Sequence, residues 1–383
     1  LNILFVTSWY PSKLDPTNGN FVERHALALI SQGHHVRIVH EGFSHRILFP
    51  SLEREIVAGI EIFHLYLPRS LKGQIGVRKA IARRFLKRLH ISGLGVDIVH
   101  GQIFYPVGPL AVFLSESLKV PLVFTEHWSG YLPSNADKLA PDLIRNTRSV
   151  VSRCACVMPV SEQLQSAMQD LGFQGNYEVV FNAVDANLFF PISEKEKKGF
   201  TFLHVSTFAA VKNVEGILRA FAVFQHKNPN LEANLQVVGD GDLLSLKNFI
   251  ESELPDLKNF TLLGTQSYEG IARLMQHADC FVLFSNYETF GCVVAESLCA
   301  GVPVISTPTG AIPEMINDAN GILIQPADEA MLSRTMEKMV SRKNLYDRET
   351  IHLQATSRFS YPIIARQFEQ IYKKVLSAKA SDE

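Results

Sequence analysis

No stretch of this 383-residue chain approaches the roughly 20 consecutive apolar residues that a membrane-spanning helix needs. Cysteine is scarce. Five are scattered at Cys154, Cys156, Cys280, Cys292 and Cys299, an odd number with no framework spacing. That excludes a disulfide scaffold and fits reduced thiols in a cytoplasmic protein. Cys154 and Cys156 form a C-x-C with no second pair or nearby His, so a buried strand is a better reading than zinc. Excess charge is also lacking: 37 Lys plus Arg stand against 38 Asp plus Glu, which argues against a general nucleic-acid binder. The opening LNILFVTSWYP has neither a charged n-region nor a small-residue cleavage site, so no secretion signal is expected. No short-period repeat or low-complexity tract is present.

What the chain does have is a rhythm. Hydrophobic residues make up 46% and charged residues 20%, values of a well-packed globular protein. The length fits two domains of roughly 150–200 residues. Short β-rich runs alternate with amphipathic stretches of helical length. The first half carries ILFVT, VRIVH, DIVHG, PLVFTEH, CVMPVS and YEVVFN; the second carries FTFLHVS, NLQVVGD, NFTLLG, CFVLFS, VPVIST and GILIQ. Near-continuous apolar runs between helices point to parallel sheets covered on both faces, hence two doubly wound α/β domains. The break falls near Phe189-Phe190-Pro191, before the charged linker ISEKEKKG. This gives domains at 1–190 and 191–360, with a final helix in 361–383 that can return to the first domain.

The first helix shows local signals in agreement. Asn20 can cap it, and Glu23 completes a capping box. Phe21, Val22, Ala26, Leu29 and Ile30 share a face, and Gly33 stops it. The loop PSKLDPTNGN before it lies at the carboxyl edge of the first strand, where ligands bind in such sheets. Residues 69–90 hold eight cations and no acid. Val77, Ile81, Phe85 and Leu89 recur every four residues, which predicts a basic amphipathic helix. It either docks on its own domain or meets an anionic membrane surface or acceptor through residues 77–90.

The segment Ser285–Ser306, SNYETFGCVVAESLCAGVPVIS, concentrates the chemistry. A buried strand ends, a turn holds Glu288, and a helix opens near Gly291 with Glu296 about two turns along. Gly291 lets backbone approach a ligand closely, and the amides of Phe290, Gly291 and Cys292 suit an anion at the positive end of the helix. A solvated Glu288 and a surface Glu296 are the bland alternative, but Glu296 is ringed by Val293, Val294, Ala295, Leu298 and Cys299.

ETFGCVVAE resembles the signature of retaining glycosyltransferase family 4, two Glu separated by seven residues in a GT-B fold. VVGDGD, FTLLG, YEGIARLMQHADCFVLFS, VPVISTPTGAIPEMI and VFNAVDANLFFP resemble further family segments in the same order. The resemblance implies two Rossmann-like domains facing a cleft and sugar transfer from a nucleotide diphosphate. It assigns catalytic roles to His127 and Glu288. Donor contacts fall to Gly19 and Asn20 of the glycine loop, Ser206, Thr207, Lys212, Gly264, Thr265, Phe290, Gly291, Cys292 and Glu296. An Arg of the family pattern is replaced by Thr207, which removes a planar bidentate donor. Glu126 is read as structural, because alternation points it away.

Asp240-Gly241-Asp242 could suggest a metal, but it reads better as a turn with Asp242 capping a helix, so no metal or cofactor is expected. The implied function is a retaining hexosyltransferase using UDP-sugar first and GDP-sugar second. Its acceptor would be a saccharide or lipid-linked saccharide in cell-surface polysaccharide synthesis, at the cytoplasmic face of a membrane and without nucleic acid. A nucleotide-sugar epimerase and a weakly catalytic nucleotide-sugar-binding partner subunit are the alternatives.

Overall fold

A computed structural model describes residues 1–16, 18–88, 95–192 and 199–382, with side chains left undescribed at 85–88 and 380–382. The charged stretch 193–198 and the end of the basic segment past residue 88 lie outside the described residues. The chain divides into two compact units, Leu1–Ala183 with Tyr361–Glu383, and Val184–Ser360. At the division, Val184 N donates to Phe359 O, and the Phe189 ring lies 5.0 Å from Tyr268, both within the second unit.

The first unit holds seven strands: β1 Asn2–Thr7, β2 His35–Ser44, β3 Ser51–Val57, β4 Ile60–Pro68, β5 Ile98–Gln102, β6 Leu122–Glu126 and β7 Cys156–Pro159. They are ordered β3-β4-β2-β1-β5-β6-β7, parallel except where β3 pairs antiparallel with β4. Burial dictates this arrangement. Strands β5, β6 and β7 are buried at every residue, as sheets covered on both faces require. The helix Asn20–Ser31 buries Val22, Ala26 and Leu29 against the sheet, and Gly33, just past its end, has φ 83°. The final helix Tyr361–Asp382 belongs to this unit. Its Ile364, Ala365, Phe368, Ile371, Tyr372 and Val375 recur at three- and four-residue intervals and join the same core.

The second unit holds β8 Phe200–Val205, β9 Ala233–Val238, β10 Phe260–Gly264, β11 Cys280–Leu283, β12 Val304–Ser306 and β13 Gly321–Leu323. The order is β10-β9-β8-β11-β12-β13, parallel throughout. Both sheets are doubly wound, with the strand order reversing beside the first strand of each unit. In such sheets the carboxyl ends of the strands hold ligands.

Three expectations need correction. YEVVFN forms no strand: Glu178 N and Val180 N donate to Val157 O and Pro159 O along the edge of β7 without building a full ladder. Asn20 does not cap the first helix. Gly19 does, in a left-handed conformation without a side-chain cap, while Glu23 is half-buried beside Tyr10. In the basic helix Ile75–Arg88, Arg78 and Ala82 face inward, whereas Val77 of the expected apolar stripe is 44% exposed. Arg78 is drawn in by Glu41 of β2, with which it forms a fully buried ion pair. All five cysteines are free thiols. No helix among the described residues is long and apolar enough to cross a membrane.

Candidate active site

In the second unit the site grows from the exits of β8 and β11, which are neighbours in the sheet. The β8 exit runs through Ser206 and exposed Thr207 to a short turn, Ala210–Lys212. The β11 exit runs through buried Ser285 to Glu288. Asn286 N donates to Val211 O at 2.8 Å, tying the two loops together. The tie brings Lys212 and Glu288 into contact: Lys212 Nζ donates to Glu288 Oε1 at 2.6 Å, and Ser285 Oγ donates to the same oxygen at 2.8 Å. Thr307 Oγ1 in turn donates to Ser285 O at 2.6 Å, so the turn is held from β12 as well. The pair is largely shielded, with side chains 21% and 10% exposed.

Three residues on, Gly291 adopts φ 83° and caps the helix Cys292–Cys299 without a side-chain cap. A left-handed turn there demands glycine, and it aims the positive end of the helix at the same loop as Glu288. Phe290 turns its ring inward against Phe359, so what it can offer a ligand is backbone. Glu296, at 2% exposure, is a buried carboxylate on that helix.

Sequence reasoning missed His204. Its Nδ1 donates to Val282 O at 2.8 Å, which leaves Nε2 to accept from Ser206 Oγ at 2.7 Å. Burial lowers its pKa to about 4, so it stays neutral and fixes the Ser206 rotamer. Gly264 O accepts from Gly239 N, and Thr265 is exposed beyond the end of β10. Asp242 accepts from Ser245 N and caps the helix Leu243–Glu253.

In the first unit the β5 and β6 exits are bound together by one carboxylate. Glu126 is fully buried; its Oε2 accepts from Phe104 N at 2.9 Å, and its Oε1 accepts from His127 N and Trp128 N, both at 2.7 Å. Burial pushes its pKa up to about 7, against the three amides, which lower it. Just before Phe104, Ile103 has φ 65°. For a β-branched residue this is strained, by about 1–3 kcal/mol, and the Glu126 clamp helps hold it.

His127 is itself buried, at 5% exposure. Its ring stacks on Phe21 at 4.3 Å and lies 5.4 Å from His25. Its Nε2 donates to Gln102 Oε1 at 2.8 Å. The Gln102 amide then faces His100 Nε2 at 3.2 Å, and His100 Nδ1 donates to Tyr372 Oη at 2.7 Å. This chain from the final helix fixes the His127 tautomer, with Nδ1 as the lone-pair nitrogen. Burial, with His25 and His100 nearby, holds its pKa well below the ordinary range. Sequence reading found His127 but not Gln102 or His100, which match no motif.

Gly19 and Asn20 stand beside this group through Phe21. A Cβ on Gly19 would lie 2.2 Å from the Trp9 carbonyl, and the residue has φ 74°. Gly19→Ala should therefore cost about 2–4 kcal/mol. A urea titration of the variant should show a lower midpoint; an unchanged midpoint would mean that the loop relaxes freely.

Two parallel-sheet Rossmann-like units of this kind are the GT-B architecture of glycosyltransferases. The chain belongs to glycosyltransferase family 4. The model described as Glycosyltransferase Family 4 matches residues 19–188, and that described as Glycosyl transferases group 1 matches residues 185–350. The chain is 25% identical over 372 residues to the N-acetyl-alpha-D-glucosaminyl L-malate synthase of Bacillus anthracis, covering 91% of each. Among solved structures, sucrose-phosphate synthase from Thermosynechococcus elongatus superposes with a TM-score of 0.78 at 18% identity, over 99% of this chain and 100% of that one. Anabaena HepE, solved in complex with UDP, gives 0.74 at 17%, over 98% and 100%.

Proposed function

We propose that the chain is a retaining hexosyltransferase that moves a sugar from UDP-sugar, or secondarily GDP-sugar, to a saccharide or lipid-linked saccharide in cell-surface polysaccharide synthesis. The observation that carries this reading is the Lys212–Glu288 contact at 2.6 Å, in the loop that leads into the Gly291-capped helix. Lys212 and the positive helix end would neutralise the diphosphate as it leaves, an electrostatic role. Glu288 would release part of its hold on Lys212 to bond a sugar hydroxyl, and Glu296 would accept from the ribose hydroxyls. His127 would orient the transferred sugar from beside it.

In this scheme the bond from the anomeric carbon to the phosphate oxygen breaks, and a bond to the acceptor oxygen forms on the same face. The acceptor proton passes to the departing phosphate. Thr207 contributes no charge, so the reading places the cationic work on Lys212. It calls on no metal, and Asp242 serves as a helix cap. UDP ranks first because the HepE neighbour holds UDP. A peripheral position on an anionic membrane is part of the proposal, resting on Arg83 and Arg84, which stay exposed where Arg78 does not.

Thermal denaturation in UDP, GDP, ADP and CMP tests the donor assignment. One nucleotide at 100 times its dissociation constant should add about 2.7 kcal/mol, without magnesium, and Glu296→Ala should lose the shift. No shift with any nucleotide would sink the donor site.

A further inference from the structure

The first unit carries a second set of groups at the carboxyl edge of its sheet that the proposed chemistry leaves unused. Tyr105, just after β5, is 38% exposed, and its ring stacks against Trp128, just after β6, at 6.3 Å and 28°. Neither ring is free to wander. Trp128 packs on Gly130, where a Cβ would meet the indole at 2.4 Å, and the Glu126 carboxylate anchors the backbone at Phe104 and at Trp128. Lys72 Nζ sits 4.8 Å over the Tyr105 ring. Beside them is a cavity of about 60 Å³, lined by Lys72, Arg78, Tyr105, Asn146 and Thr147 among others.

The charge around Lys72 is unbalanced. Burial lowers its pKa, and Arg69 and Arg78, both cations, lower it further. Arg78 is already committed: Glu41 pairs with it, and the carbonyls of Lys72 and Pro106 accept from it. Lys72 thus has an aromatic face and, among the described residues, no carboxylate partner, and it is half-buried at the edge of a small, mainly apolar cavity to which Asn146 and Thr147 add neutral polar groups. An ammonium in that setting gains most from an anion small enough to enter, and the exposed part of the Tyr105 ring, held in place by Trp128, suits the C–H groups of a sugar ring.

We propose that Lys72 and Tyr105, with Trp128 holding the Tyr105 ring, form an acceptor subsite for an anionic saccharide, with a carboxylate or phosphate group against Lys72 and the sugar ring against the exposed part of Tyr105. This rests on the glycosyltransferase reading above and adds the chemical class of its acceptor. Asn146 and Thr147 would supply neutral hydrogen bonds to the same anion.

The test titrates methyl α-D-glucuronide, methyl α-D-glucoside 6-phosphate and uncharged methyl α-D-glucoside into the UDP-loaded protein by saturation-transfer NMR. At least one anion should bind tenfold or more tightly than the neutral glycoside, and which one does so assigns carboxylate or phosphate. Lys72→Gln should erase the preference and Lys72→Arg should keep it, while both variants retain the UDP thermal shift. Equal binding of charged and neutral glycosides, or a preference that survives in Lys72→Gln, overturns the subsite. If no glycoside binds while UDP still raises the melting temperature, the subsite fails and the donor reading stands. Loss of the UDP shift in the unmodified protein would strike the donor reading instead.

Discussion

Lys212→Ala should lower kcat/KM by about 10²–10³, the cost of removing one preorganised group that stabilises a leaving anion. The variant also leaves Glu288 as a shielded carboxylate held by Ser285 alone, so some stability should go with it, by about 1–3 kcal/mol. Circular dichroism and a melting curve separate the two effects. A double-mutant cycle with Glu288→Ala adds a sharper criterion. Because the two side chains share one contact at 2.6 Å, their effects on turnover should be strongly non-additive. A variant that turns over within threefold of the unmodified protein would remove Lys212 from the diphosphate. The other cations would then have to be searched, starting from the gap left at Thr207.

The parts of this arrangement that could be read from the chain are those carried by short-range pattern. Runs such as CFVLFS and FTFLHVS are apolar throughout because both sheet faces are covered, and that alone announces parallel strands. Glu288, Gly291 and Glu296 lie within nine residues on one strand-turn-helix segment, so their spacing survives in the sequence. The hairpin of β3 and β4 does not announce itself. Its two-residue turn is Ala58-Gly59, with φ 50° and 81°, where Asn or Asp more commonly precedes Gly. Its outer strand LEREIV is charged and largely exposed, like any surface segment.

Long-range partners were hidden for a different reason. Arg78 reads as one more surface cation until Glu41 of β2 is placed beneath it. Gln102 and His100 gain meaning only when β5 and β6 lie side by side and the final helix brings Tyr372 to them. Alternation reads Glu126 as structural, and its side chain is fully buried. That pattern could not reveal that the carboxylate there gathers three amides from two different loops.

That carboxylate is the source of the second large effect, and it makes a pH dependence that histidine would ordinarily be credited with. His127 is held neutral far below its ordinary range, so its titration lies outside the working pH. Glu126, with a pKa of about 7, is the group that changes charge there. Its folded pKa is raised above the unfolded value, so the folded state binds the proton more tightly. The stability it contributes is complete below about pH 4.5 and is lost as pH rises through 7, by about 3 kcal/mol in all.

Activity should run the other way. The ionised carboxylate can accept all three amides and hold His127 and Trp128 in place. The protonated acid turns one acceptor into a donor against an N–H. The rate should therefore rise through pH 7 while stability falls. Glu126→Gln resembles the protonated acid. It should turn over at or below the acid-limb rate of the unmodified protein, tenfold or more down at pH 8, with no inflection near 7 and a melting temperature that no longer falls from pH 5 to 8 on this account. Glu126→Ala leaves three buried amides without their acceptor and should cost about 3–5 kcal/mol. An inflection near pH 7 that persists in Glu126→Gln would mean another group controls the rate, and the clamp would then be purely a matter of folding.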